Sequence, residues 1–384
     1  MKGFHERLKE CIVSFTIIFA GQFIVSCGGG SDSSRDLDIS RLVPSNFTGG
    51  STQIISLSSN GTNLTWNDPH VIKVGSQYWM YATATDNFMT PVRIYRLVSD
   101  DGISWTLNPS SPVLDVGAAG TWDAGAVETP AVVYFNGKYH MFWTGYQYAH
   151  GDPDFSTSYF RIGHAVSDDG IVFARDGSFI VAPSGTDGDV SNDWYAFIVG
   201  EPGPVVFNNR IYLYFTAAGA DTGPDLDMGA GASLQVIGLV TYDGTSWSAP
   251  TRVLRPDQTI YPRKPDSDND YWVGYSTPNA IVLNGEVHLF FDVARQYDSA
   301  PAPVAETWLQ ERLHHARSAD GVTGWIQDSS PIRSKTDFTW TRREIRSPDA
   351  FLDGTILRLY FAGDSIYYDN QFGIGVMTCD LGAD

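Results

Sequence analysis

The feature that most limits how this chain can fold is a motif that it carries five times. Five segments share an x-Pro-x start, an apolar run, a tight turn and an aromatic-rich run. They are DPHVIKVGSQYWMYATA, TPAVVYFNGKYHMFWTG, EPGPVVFNNRIYLYFTA, TPNAIVLNGEVHLFFDV and SPDAFLDGTILRLYFAG. Their prolines, Pro69, Pro130, Pro202, Pro278 and Pro348, stand 61, 72, 76 and 70 residues apart. The turn in each (Gly75, Asn136-Gly137, Asn208-Asn209, Asn284-Gly285, Asp353-Gly354) lies between two runs of β-formers, a strong hairpin signal. A second motif follows the first four copies: SDDGISW from Ser99, SDDGIVF from Ser167, TYDGTSW from Thr241 and SADGVTGW from Ser318. An apolar strand precedes each DG turn and another follows it. Two hairpins per repeat make a four-stranded sheet, and radial repetition of such sheets makes a propeller. The expectation is an all-β fold: a five-bladed β-propeller with four-stranded antiparallel blades around a central funnel, over residues 51–384. The last repeat ends in FGIGVMTCDL without a DG turn, so STQIISLS near residue 51 is expected to supply its fourth strand and close the ring. Two packed sheets with chance similarity are the simpler alternative; five matched prolines and four matched DG turns weigh against them.

Composition narrows the partners. With 44 acidic and 25 basic residues the net charge is −19, which opposes binding to a phosphate backbone, so no nucleic-acid partner is expected. A hydrophobic content of 42% suffices for a full core. At the N-terminus, Lys2, Arg7 and Lys9 precede an apolar run from Cys11 to Val25, shorter than the roughly 20 residues of a membrane span, and it reads as a signal peptide over residues 1–26. Ile24-Val25-Ser26-Cys27 resembles a bacterial lipobox, which implies acylation of Cys27, a lipid anchor and a Gly- and Ser-rich tether over residues 27–50. Gly28 after the cysteine implies the outer membrane as location. Cys379 then has no partner, and no disulfide is expected. A monomer is expected.

In a propeller the innermost strands all start on one face, so equivalent positions form a ring. The residues before the five prolines are Asp68, Thr129, Glu201, Thr277 and Ser347. Two are carboxylates, on blades two steps apart. Ring side chains near the axis would place them about 8 to 9 Å from each other, within the range that leaves room for a water between an acid and a base. Glu128, beside Thr129, is a third acid near the funnel: it can raise a neighbour's pKa or be the proton donor itself. Asp349 follows its proline and is expected to point to the other side.

These residues resemble the five-bladed propeller glycoside hydrolases of the family 43, 32, 62, 117 and 130 group. WNDPHVI, with Trp66, Asn67, Asp68 and Pro69, resembles the first-blade Asp-Pro that carries the base in family 43 and the nucleophile in family 32. GEPGPVVF around Glu201 resembles the Glu-Gly-Pro element that carries the acid, and VETPAVVYFNGKYHMFWTGY is similar to a family 130 segment in which Thr129 and Ala131 replace Asp and Arg. The resemblance implies a carbohydrate substrate and an inverting hydrolase with Asp68 as base, Glu201 as acid and Glu128 assisting. In family 43, however, the acid comes from the fourth blade, which here offers Ser276-Thr277. A non-catalytic glycan-binding lipoprotein and a glycoside phosphorylase are therefore the alternatives, the latter with only Arg342, Arg343 and Arg346 to hold phosphate.

Trp122, Trp194 and Trp340 each precede a blade proline by eight residues, with Trp272 at six and Trp66 at three. They either stack on sugars at the funnel rim or pack the loop entering each blade. Arg346 either binds a sugar hydroxyl or carboxylate, or pairs with Glu128 or Glu201. His164 and His315 read as core histidines. No cofactor is required and no metal site is assigned; Asp266-x-Asp268-x-Asp270 has the alternation of a calcium loop but Tyr271 where its glycine belongs, leaving structural calcium as a minor alternative. Long connections, roughly 146–159, 217–234 and 294–312, are expected to wall the pocket.

Overall fold

The computed structural model describes residues 37–86, 91–149, 152–154, 158–185, 193–219, 234–262, 270–299, 308–365 and 371–382. Each repeat folds as one blade of antiparallel strands, and a single parallel bridge between Gln235 and Gly274 links the sheets of blades 3 and 4. Blade 1 pairs Leu64–Val74, Gln77–Asp86, Arg93–Ser99 and Thr106–Leu107 in that order; blade 2 pairs Ala126–Phe135, Lys138–Tyr146, Arg161–Ser167 and Ala174–Val181. Blade 3 uses Ile198–Phe207, Arg210–Gly219, Leu234–Tyr242 and Thr251–Leu254, and blade 4 uses Tyr271–Leu283, Glu286–Gln296, Trp308–Ser318 and Ile326–Gln327. Blade 5 has Glu344–Asp353, Ile356–Asp364 and Gly373–Asp380. Each innermost strand packs on the next, and the fifth packs on the first, so five wedges close a circle.

The fourth strand of blade 5 does come from the N-terminal side, but from Thr48–Gly49 rather than from STQIISLS. These two residues pair with Thr378 and Met377. Gly49 and Gly50, at φ 90° and 81°, then turn the chain away, and it returns only for a single bridge between Ile55 and Ile374. Nor is the stretch up to residue 50 all tether: Leu37 bridges to Gly382, and Leu42 and Phe47 are buried against Leu357, Cys379 and Leu381. Those apolar side chains, spaced through a polar segment, cover the last blade. Residues 1–36, with Cys27, lie outside the described residues.

The DG turns fasten neighbouring blades. Ser99 Oγ accepts the Gly102 N–H at 2.8 Å, and Asp101 Oδ1 accepts the N–H groups of Ile103 and Ser104 at 2.7 Å each. The turn carbonyl is left facing the preceding blade, where a second-strand tyrosine donates to it: Tyr81 to Gly170 at 2.8 Å, Tyr214 to Gly321 at 2.7 Å and, across the closing seam, Tyr360 to Gly102 at 3.0 Å. Gly102 sits at φ +73°, and a Cβ there would stand 2.9 Å from the Tyr360 hydroxyl, so both conformation and space demand glycine. The aromatic residue after the turn fills the same joint, as Trp105 does edge-on to Tyr360 at 6.0 Å. Where the second-strand residue is Phe142 or Phe290, a histidine pair occupies the blade instead. His140 faces His164 at 2.9 Å, and His288 faces His315 at 3.0 Å. His164 and His315 are core residues, as their third-strand positions suggest.

Candidate functional site: a ring of five bulges

The ring positions share a backbone conformation that L-residues rarely adopt. Asp68, Thr129, Glu201, Thr277 and Ser347 have φ of 50°, 51°, 54°, 44° and 51°, and the strand register slips at each x-Pro pair. A left-handed residue in a bulge costs about 1–3 kcal/mol and persists only where surroundings hold it. Here the bulge swings the ring residue's N–H sideways, and the second strand of the preceding blade accepts it. Thr83 accepts from Thr129 at 2.8 Å, Thr144 from Glu201 at 2.7 Å, Thr216 from Thr277 at 2.9 Å and Asp292 from Ser347 at 2.9 Å. The equivalent of these acceptors in blade 5 is Ala362, which faces Arg346 in register and offers no side-chain acceptor to Asp68.

All five ring residues and their prolines line one funnel. Its hydroxyls are engaged internally: Ser347 donates to Asp68 Oδ1 at 2.6 Å, Thr129 donates to the Glu128 carbonyl at 2.8 Å, and Thr277 donates to Asp292. The groups left to meet a ligand are carboxylates and Arg346. Glu128 accepts from the Tyr146 hydroxyl at 3.4 Å. Burial pushes Glu128 up to about 8, reinforced by the charges of Asp68 and Glu201 and opposed by Arg346 and Tyr146. Glu201 accepts the Thr277 N–H at 3.0 Å and lies 3.9 Å from the Arg346 guanidinium. Burial, then Asp292, push Glu201 up to about 7 against the pull of Arg346. Burial alone would weaken the Arg346 cation, but Asp68, Glu344, Asp292 and Glu201 together hold its pKa above the ordinary value. Arg346 thus faces Glu201, one of the pairings expected for it.

Asp292 is not among the residues that the sequence singles out, yet it is the carboxylate that the fourth blade lacks at its ring position. It is fully buried, accepts the hydroxyls of Ser276 and Thr277 and the N–H of Ser347, and sits behind Glu201. A signal for it exists: aligned on their prolines, the repeats read Thr83, Thr144, Thr216, Asp292 and Ala362 in one column. One layer deeper, Asp349 is not turned away from the axis but belongs to the funnel floor. It faces His70 Nδ1 at 3.0 Å and accepts from Asn279 at 2.6 Å and from the Val71 N–H at 2.9 Å. His70 Nε2 meets the Val132 carbonyl at 2.8 Å, so three blades and the edge of a fourth meet in one polar plug.

The tryptophans are a correction. Trp66 is 0% exposed, packed edge-on to Tyr95 in a blade core, because its strand position faces the neighbouring blade. Trp122 stacks on Trp143, Trp194 on Phe215 and Trp340 on Phe361, at centroid distances of 6.1, 6.1 and 5.3 Å. Each fills the space over a glycine of the same sheet, Gly163, Gly238 or Gly363. Of the two roles expected for them, these contacts are those of packing the loop entering each blade. Asn67 precedes Asp68 on the innermost strand of blade 1, its Oδ1 buried without a hydrogen-bond partner. Asp266 and Asp268 lie outside the described residues, as do 150–151, 155–157, 220–233 and 300–307 of the long connections; Asp270 faces Arg295 at 3.4 Å.

No family model and no curated protein matches the chain. Solved structures do. A BT0996 RGII complex superposes with a TM-score of 0.62 at 13% identity, covering 90% of this chain and 95% of the other. A thermostable family-43 glycoside hydrolase gives 0.55 at 14%, covering 84% and 90%. A family 117 glycoside hydrolase from the marine bacterium Zobellia galactanivorans gives 0.56 at 14%, covering 88% and 92%. The chain is a five-bladed β-propeller of the architecture found in these hydrolases. At such identities the likeness is one of fold, and the chemistry rests on the funnel.

Proposed function

We propose that the protein is a glycoside hydrolase that acts on an oligo- or polysaccharide with inversion. The observation that carries this reading is the set of unlike carboxyl environments around one funnel. Asp68 is held by the Ser347 hydroxyl, while burial and neighbouring acids keep Glu128 and Glu201 protonated into the neutral range. Carboxyl groups held in unlike surroundings are what acid–base hydrolysis requires. In this scheme Asp68 takes a proton from water, the water attacks the anomeric carbon, and the leaving oxygen takes the proton of Glu201 as the glycosidic bond breaks. Asp68 stands on blade 1 and Glu201 on blade 3, two steps apart around the ring, which fits a pair with space for water between them. Glu128, neutral beside Asp68, keeps a second negative charge away from the base. A second reading, with Glu128 as donor, is favoured by its larger shift.

Asp68→Asn and Glu201→Gln, assayed on a panel of arabinosyl, xylosyl, galactosyl and fructosyl aryl glycosides, test the scheme. Hydrolysis lost in both supports it; hydrolysis surviving Glu201→Gln but lost in Glu128→Gln moves the donor to Glu128; binding without turnover in the wild type supports a glycan-binding module. Asp292, a buried fourth-blade carboxylate that acts on Glu201, supports the hydrolase over that module. Acylation at Cys27 and attachment to the outer membrane complete the proposal. Metabolic labelling with a fatty-acid probe, lost in Cys27→Ser, would support the anchor, and unlabelled protein in the soluble fraction would refute it.

A further inference from the structure

We propose that the rim of blade 2 carries a second sugar subsite, built on Arg161 and Phe179, that takes a carboxylate-bearing residue of the glycan. The inference rests on the carbohydrate reading above and names the substrate class as an acidic one.

Arg161 opens the third strand of blade 2. It pairs with Gly145, which pairs with Val127, two residues before the ring position Thr129. With strands roughly 4.8 Å apart, Arg161 lies about 10 Å outward from the innermost strand, level with the funnel mouth. Its guanidinium is held over two rings, 5.5 Å from the Tyr159 centroid and 5.2 Å from that of Phe179. Phe179 is 42% exposed, a large apolar side chain open to solvent on the same sheet face. Its ring is fixed edge-on by Trp122 at 6.0 Å, which itself stacks on Trp143 over Gly163. The platform is therefore rigid before any ligand arrives, and a rigid aromatic loses little freedom on binding.

The charge is the second observation. Several arginines of the domain face carboxylates, as Arg175 does Asp123, Arg317 does Glu286 and Arg343 does Asp364, and others meet carbonyl oxygens, as Arg96 does at Asn108 and Arg333 at Pro44 and Phe47. Among the described residues Arg161 faces no carboxylate, in a chain with a net charge of −19. A cation pinned between rings, with no carboxylate beside it among the described residues, suits a planar carboxylate, which a guanidinium meets with two parallel hydrogen bonds. The exposed part of Phe179 suits the C–H face of the same sugar ring. The funnel itself is poorly suited to this job, because Arg346, the guanidinium beside its carboxylates, is already balanced by Asp68, Glu344, Asp292 and Glu201.

The test measures binding to the full chain carrying Asp68→Asn, which prevents turnover. Oligogalacturonate is compared with the same oligosaccharide in methyl-esterified form by titration calorimetry. The free acid is expected to bind about tenfold more tightly at low salt, with the preference shrinking as salt rises and vanishing in Arg161→Met. Arg161→Lys, which keeps charge but loses the fork, is expected to retain part of it. Phe179→Ala is expected to weaken both forms. Equal affinities for the two forms, or a preference that persists in a folded Arg161→Met, would overturn the subsite while leaving the glycan reading intact. No binding of any glycan would overturn both. Hydrolysis of a small aryl glycoside that fills only the funnel should be unchanged in Arg161→Met.

Discussion

Replacing Glu128 by glutamine should make the protein more stable, and more so as pH rises. Glu128 is pushed up to about 8 from an ordinary 4.5 by burial and by the charges of Asp68 and Glu201. Its folded-state pKa is raised, so the stability it contributes is fully present below pH ~4.5, falls as pH climbs, and is lost once pH passes ~8. Glutamine keeps the shape and a neutral head, and does not titrate. Each pKa unit corresponds to about 1.4 kcal/mol, so the rise from 4.5 to about 8 sets a ceiling near 5 kcal/mol. Because Glu128 is only partly buried and Arg346 pulls against its neighbours' charges, screening brings the expected gain to about 2 kcal/mol. For a domain of this size that is about 3 °C in Tm. The assay is thermal unfolding of wild type and Glu128→Gln from pH 4 to pH 9, read as the difference between the two proteins so that other titrating groups cancel. The gap should be close to constant below pH 4.5, widen through neutrality and level off above 8. Parallel curves would show that Glu128 is not held neutral by its surroundings, and the acid–base separation in the funnel would fail with it.

Four further outcomes follow from the same contacts. With Glu201 pushed up to about 7, kcat/KM should fall as pH rises through about 7, when the donor loses its proton; activity that still rises toward pH 9 would exclude Glu201 as acid. Asp292→Asn removes the charge behind Glu201, so that limb should move to lower pH, and imperfect pairing with Thr277 and Ser347 should cost about 1–3 kcal/mol in denaturant unfolding; an unmoved limb would separate Asp292 from the donor. Tyr360→Phe deletes the seam hydrogen bond to the Gly102 carbonyl and should cost about 1 kcal/mol, whereas no change in midpoint would show that the seam is held by packing alone. His70, whose pKa burial would lower but Asp349 raises overall, should lend stability below pH ~6.5 that fades at higher pH, so His70→Gln should lose more stability at pH 6 than at pH 9 in the same unfolding assay.

The blades were legible because their signals are local. A turn pair between two β-forming runs states a hairpin wherever it stands, and repetition turns five uncertain readings into one. The ring was legible for the same reason: x-Pro marks the bulge, and the same slot in each copy must face the axis. What escaped was written across strands. Asp292 lies on the second strand and reaches the ring only because the bulge of the next blade turns the Ser347 N–H toward it. The tryptophans stayed ambiguous because an aromatic before a strand reads alike whether its ring meets a sugar or a neighbouring Phe215 or Phe361. The glycines beneath them, Gly163, Gly238 and Gly363, were the distinguishing sign, since a missing Cβ makes the hole that a large ring fills. The extent of Thr48–Gly49 depended on two left-handed glycines, which shorten a strand without altering its apolar pattern.

The claim on which the account turns is that acids on blades 1 and 3 act on opposite sides of one glycosidic bond. Proton NMR of the first sugar released from an aryl glycoside, recorded before the anomers equilibrate, tests it directly. The account predicts a product of inverted anomeric configuration, absent with Asp68→Asn. A product of retained configuration would contradict it, because retention requires carboxyl groups only about 5 Å apart and a covalent intermediate.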